Sequence, residues 1–263
     1  MRHLDGHHKL IKWRIVVHGA IDGYSRVVVF LKASTNNRAS TVLQLFLAAT
    51  QVFHYPRRIR TDYGTENVEV ARNMLNRYGP ASHPVLTGQS VHNQRIERLW
   101  RDVHNYVCAI YKNIFYYLES AEMLDPNNEI DLYALHYVFI PRLNKSLEIF
   151  VMQWNNHALS SEHGRTPFQV WTQGFYQFAL ADHTTVREVL DPTSVDFQQY
   201  GIDDDGPVPQ VQTENTVEIP RSAIELTNDE YQLLTENVDP LFNNDHGIDA
   251  YQSAKKYFGN FIK

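Results

Sequence analysis

The chain has 263 residues, 43% of them hydrophobic and 12% aromatic, which suits one well-cored domain with an appendage and excludes wholesale disorder. A single cysteine, Cys108, excludes an internal disulfide framework and a cysteine-pair zinc site and fits a reducing, intracellular setting. No apolar run approaches the ~18 residues that a membrane span needs, so no membrane partner is expected. The net charge of −6 hides an asymmetry: residues 1–112 hold 16 Lys and Arg against 7 Asp and Glu, an excess of +9, whereas residues 175–263 hold 5 against 16, a balance of −11. The basic part can meet a phosphate backbone electrostatically.

In chain order, the opening HLDG puts Asp5 on, or at the end of, a first strand. Residues 11–32 then read as two strands joined at Asp22-Gly23, a dipeptide suited to a two-residue type I′ hairpin turn, which makes Asp22 a turn residue. In residues 39–54, Val42, Leu45, Phe46, Ala49 and Phe53 recur at helical intervals and predict an amphipathic helix on the sheet. RRIRTDYG follows as a short strand ending at Asp62, residues 66–78 as a helix, and Gly79-Pro80 to Gly88 as a loop without further regular structure. From Asn93, the spacing of Ile96, Trp100, Val103, Val107 and Ile110 predicts one long helix to about Tyr117. Helices are expected over 131–159 and 167–181 and an Asp-, Pro- and Gly-rich linker over 191–220. A last helical segment opens with Thr227 and Glu230 in capping-box register.

Three acids fall where convergence is possible: Asp5 on a strand, Asp62 at a strand end before a glycine turn, and Glu97 in the first turns of the long helix. Carboxylates gathered in this way suit two-metal phosphoryl transfer, with Mg²⁺ or Mn²⁺ as the hard-ligand cation. Asn93, Glu97 and Arg101 share a helix stripe with Arg98 and His104 nearby, which could set phosphate-binding arginines beside a ligand; an exposed face with ion pairs gives the same pattern. His3, His7 and His8 cluster near Asp5 without a second zinc-spaced pair, and His7 or His8 fits a polar neighbour of the site instead. Asn67 suits either the same cleft or a helix cap, and Arg57, Arg58 and Arg60 suit DNA contact or solvation. Trp100, Trp154 and Trp171 read as packing residues.

HLDG, IDGYSR, RTDYGTEN and SVHNQRIERLW, followed by WNNHALSSEHGRTPFQVWTQG, resemble the successive motifs of the DDE integrases and transposases of the retroviral-integrase superfamily. Within it the chain is most similar to the integrase-core proteins of animal genomes. Asp62 and Glu97 stand 35 positions apart, close to that group's spacing, and the likeness covers about residues 1–174. The resemblance implies an α/β, RNase H-like mixed sheet flanked by helices. The chain then divides into a catalytic core over 1–120, a helical extension over 121–190, the linker, and a small acidic C-terminal module over 221–263. It implies Asp5, Asp62 and Glu97 as catalytic metal ligands and Asn93, Arg98 and Arg101 as DNA contacts. The partners would be DNA and further copies of the chain, the activity metal-dependent DNA cleavage and strand transfer, and the place of action the nucleus. Only four residues precede Asp5, so the first strand is expected to be shortened and the family's usual N-terminal zinc or helix-turn-helix module to be missing. A catalytically inactive, transposon-derived DNA-binding or interaction protein is the alternative, and a ribonuclease H-type nuclease, which lacks the WNNH to TPFQVW segment, a third.

Overall fold

The structure is a computed structural model and describes residues 1–62, 64–88, 94–180, 219–220, 224, 226–242 and 245–261. Its centre is a five-stranded mixed sheet in the order β3-β2-β1-β4-β5. The strands are β1 (Arg2–Leu10), β2 (Ile15–Asp22), β3 (Val28–Ser34), β4 (Ile59–Thr61) and β5 (Val85–Thr87). β1, β2 and β3 pair antiparallel, while β1 with β4 and β4 with β5 run parallel. The α/β mixed sheet flanked by helices is the RNase H-like architecture that the motifs imply.

Two expectations for the strands need correction. β1 runs nine residues and is not shortened; Asp5 sits in its middle, opposite Gly19 of β2. The β2–β3 connection is not a two-residue turn. It spans 23–27, because the Asp22 carboxylate accepts hydrogen bonds from the Tyr24 and Ser25 amides and the Ser25 hydroxyl, and the positive φ falls on Arg26 (65°). A side-chain-stabilised loop of this kind competes with the tight turn that Asp-Gly favours. β5 also lies where a loop was expected. At three residues it is too short to show a periodicity, and its pairing to β4 comes from the backbone alone.

Helices cover both faces. On one, α1 (Ala39–Phe53) and α2 (Val68–Tyr78) bury Val42, Phe46, Ala49, Val70 and Met74 against Leu4, Ala20, Val29 and Ile59 of the sheet. On the other, α3 (Gln94–Val103), α4 (Ala109–Ser120) and α5 (Glu129–Asn156) form a larger core with Val17, Ile21 and Leu31. Between α3 and α4, residues His104–Cys108 form a π-helical turn. Its wider turn takes one extra residue, so the buried stripe passes from Val103 and Val107 to Cys108, Tyr111, Phe115 and Leu118. Ile110, expected on the buried face, is instead 54% exposed.

α5 also closes one edge of the sheet. Asn144 accepts from the Ala33 amide (2.8 Å) and donates to its carbonyl (3.3 Å), and Asn155 does the same at Val28 (2.8 and 3.0 Å). Eleven helical residues rise about 16 Å, as five strand residues do, and the register shift in β3 between Phe30 and Val28 brings the backbone groups of Val28 and Ala33 to one edge, so two side-chain amides three turns apart match it. After α6 (Pro167–Leu180), the chain returns as α7 (Asn228–Asn237) and α8 (Ile248–Phe261). The capping box at Thr227 and Glu230 is present. Leu234, Tyr251, Ala254 and Phe258 belong to the same buried cluster as α5, and Lys255 pairs with the buried Asp131 at 2.7 Å. Nearly all of the expected linker lies outside the described residues.

Candidate active site

β1 and β4 pair only at Arg2–Ile59 and His3–Arg60. Two residues further along that parallel register come Asp5 and Asp62, so the topology sets both acids at one level of the sheet, one on the central strand and one just past the end of its neighbour. Asp62 Oδ1 accepts from the Gly64 amide (3.0 Å) and Asn67 Nδ2 (3.3 Å). Asn67 is buried and turned to this acid; its side chain does not cap α2. Glu97 stands exposed in the first turn of α3, beside the face that buries Ile96, Leu99, Trp100 and Val103 and three residues before Trp100.

Electrostatics ties the three together. Burial pushes the Asp5 carboxyl well above the usual carboxylate range, and the nearby charges of Asp62 and Glu97 push it further, against hydrogen bonds from Trp100 and Gly6. Glu97 is raised by burial and by Asp62. Glu97 is exposed to solvent, whereas Asp5 is half-buried. Among the described residues, however, no group of three His, Cys, Asp or Glu side chains stands close enough to hold a metal ion as placed. The donor set is all oxygen and mutually repulsive, which suits a hard divalent cation.

Glu66, Gly19 and the polar edge of Trp100 escaped the sequence reading. Glu66 is buried beside Asp62, raised by burial and by that acid, and a Cβ on Gly64 would collide with its carboxylate. Trp100, read as packing alone, donates its indole N–H to Asp5 Oδ2 at 2.8 Å, while Asp5 Oδ1 accepts from the Gly6 amide at 2.8 Å. His7 stacks on that indole, with centroids 5.1 Å apart, and meets His104 edge-on at 5.9 Å. Burial lowers His7 to about 4, with His104, Lys9 and His8 adding to the shift, and burial also lowers His8 despite the charge of Asp62. Glycine within a strand is a signal for close approach that Gly19 carried: a Cβ there would lie 2.7 Å from Trp100 Cη2.

The other candidates fall less centrally. Arg98 and Arg101 are exposed on α3, Arg101 beside Asp102 at 3.5 Å, and Asn93 lies outside the described residues. Asp22 lies opposite Arg2, three residues along β1 from the level of Asp5 and Asp62, near the N-terminal amino group (3.9 Å). Trp154 packs on Phe150, and Trp171 stacks with Phe168 and Phe175 on α6. No helix among the described residues is long and apolar enough to cross a membrane.

The integrase core domain family matches residues 1–185. Among solved structures, the chain is similar to the HTLV-2 integrase catalytic core domain in complex with magnesium, at 17% identity and a TM-score of 0.43 over 64% of this chain and 93% of that one. It is similar also to the catalytic core domain of BIV integrase, at 14% and 0.46 over 68% and 97%. A simian T-cell lymphotropic virus intasome in complex with PP2A regulatory subunit B56 gamma matches at 16% and 0.41 over 65% and 53%. No curated protein matches the chain. The matched family stretch takes in every strand of the sheet and well over half of the sequence, and the chain belongs to the integrase core domain family.

Proposed function

We propose that Asp5, Asp62 and Glu97 form a divalent-metal centre for phosphodiester cleavage and strand transfer on DNA. The observation that carries this reading is geometric: Asp5 and Asp62 lie at one level of neighbouring parallel strands, with Glu97 three residues before the Trp100 that donates to Asp5, so that the charges of Asp62 and Glu97 raise Asp5. Such repulsion is what a bound cation relieves. When bound, Mg²⁺ or Mn²⁺ supplies Lewis-acid polarisation of a phosphate oxygen and makes water or a DNA 3′-OH a better nucleophile at neutral pH.

The chain's own residues would hold and orient. Asp5 and Asp62 present their carboxylates from the sheet, each fixed by backbone amides, of Gly6 and Gly64 respectively. Glu97, on an exposed and longer side chain, has the freedom to close on them from α3. Arg98 and Arg101 on the same helix would meet the phosphate backbone, and the basic excess of residues 1–112 would gather DNA to this side of the molecule. Further copies of the chain would join it on DNA, as the family resemblance implies.

The test is cleavage and strand transfer on a labelled oligonucleotide duplex. The parent chain is expected to act only with Mg²⁺ or Mn²⁺, and Asp62→Asn to abolish turnover; activity that survives chelation, or survives in Asp62→Asn, overturns the proposal. One observation favours a second reading. The acids as placed do not stand close enough to hold an ion, which a non-catalytic DNA-binding descendant of such an element would tolerate. Metal-independent duplex binding without turnover would decide for it.

A further inference from the structure

The indole of Trp100 is fixed from three sides. It is 4% exposed, lies on the imidazole of His7 with the ring planes 16° apart, and crosses Gly19, where any Cβ would come within 2.7 Å of Cη2 and 3.2 Å of Cζ2. Gly19 is also the residue that faces Asp5 across the β1–β2 ladder. One strand thus supplies the acid and the stacking ring, its partner supplies the space, and α3 supplies the donor. The result is one N–H aimed at one carboxylate oxygen, with the Gly6 amide on the other. Packing alone requires none of this, since a phenyl ring fills an apolar slot without a polar edge. A carboxylate held by a separate donor on each oxygen has lost its free rotation, and both oxygens keep a further lone pair for a ligand.

We propose that Trp100 is a positioning residue for the metal centre: its indole N–H fixes the Asp5 carboxylate so that it meets a divalent cation in one set orientation. The proposal rests on the reading of Asp5, Asp62 and Glu97 as metal ligands. Groups that orient a ligand in this way typically change metal affinity by about 10–100-fold when removed.

The test uses the full chain and Mg²⁺ followed by calorimetry. Trp100→Phe, which keeps an aromatic ring against His7 but loses the N–H, is expected to weaken Mg²⁺ binding by about 10–100-fold. Gly19→Ala, which leaves the indole intact but displaces it, is expected to weaken it as well. Trp154→Phe removes an indole N–H that donates to the Arg26 carbonyl at 2.9 Å and should bind Mg²⁺ as the parent does. In the ¹⁵N–¹H spectrum of the parent, the indole resonance that Trp100→Phe lacks should move during the Mg²⁺ titration with the calorimetric midpoint. If the parent binds Mg²⁺ but that resonance stays still and Gly19→Ala binds equally well, Trp100 is packing only and the metal centre stands without it. If the parent does not bind Mg²⁺, the metal reading and this inference fall together. Should Trp100→Phe fail to fold, the indole resonance and Gly19→Ala still decide.

Discussion

A buried carboxyl that faces two others keeps its proton beyond the usual range, and the cost appears as pH dependence. Asp5 ionises near 3.8 in an unfolded chain and well above that in the folded one. Between the two values the unfolded state has lost a proton that the folded state retains, so metal-free stability falls as pH rises through that window. Asp5→Asn should therefore melt higher than the parent at pH 7 without metal. The gap should close toward pH 4, and Mg²⁺ should raise the melting temperature of the parent alone; a lower melt for Asp5→Asn at pH 7 contradicts the crowding described here. Histidines act in the opposite sense. Burial lowers His7 to about 4 and also lowers His8, His18, His104 and His136 from 6.5. Their contribution is complete above pH 6.5 and lost as pH falls toward 4, opposite in sign to that of the raised Glu66 and Glu97. Strand positions for Asp5 and Asp62 were legible in HLDG and RRIRTD. The second role of Trp100 was not, because an apolar period accounts for a tryptophan without reference to its N–H.

At the scale of elements, the π-helical turn separates what periodicity can reveal from what it cannot. An unbroken helix would bury Ile110, whereas the extra residue at 104–108 turns it to solvent and buries Phe115 fully. Ile110→Lys is expected to change stability by no more than about 0.5 kcal/mol and Phe115→Ala to cost about 3–5 kcal/mol in chemical denaturation. The reverse order would mean that α3 and α4 form one regular helix. Helix identities were readable because 10 to 28 residues of repeated pattern outweigh any single exception. The β2–β3 loop and β5 were not, since one is set by the Asp22 side chain and the other by three backbone pairings. Neither was the edge seal. Asn144 and Asn155 read as polar residues on a long helix until β3 lies beside them, and each now satisfies one amide and one carbonyl of the strand. Asn155→Ala should cost about 1–3 kcal/mol and raise self-association in light scattering, because it leaves a buried edge pair without partners.

The molecule as a whole joins a basic front to an acidic end. Truncation is a poor probe of that contrast, because Tyr251 and Phe258 are fully buried with α5 and their loss would open the core. Replacing the seven acids of residues 191–218 by their amides leaves the described core untouched. If the acidic stretch competes with DNA for the basic face, this variant should bind duplex DNA more tightly at low salt, with the difference vanishing as salt rises. Equal affinities at low salt would show that the stretch stays clear of the core. The edge seal also sets a schedule during synthesis. β3 is complete at Ser34, and Asn155 is made 121 residues later. At about 5–20 residues per second, the hairpin waits roughly 6–24 s with its outer edge unpaired. Each nascent chain thus carries an adhesive strand edge while 121 of these 263 residues are made, a little under half of their synthesis. The demand of this fold for chaperones is set by the distance along the gene between a strand and the helix that covers it.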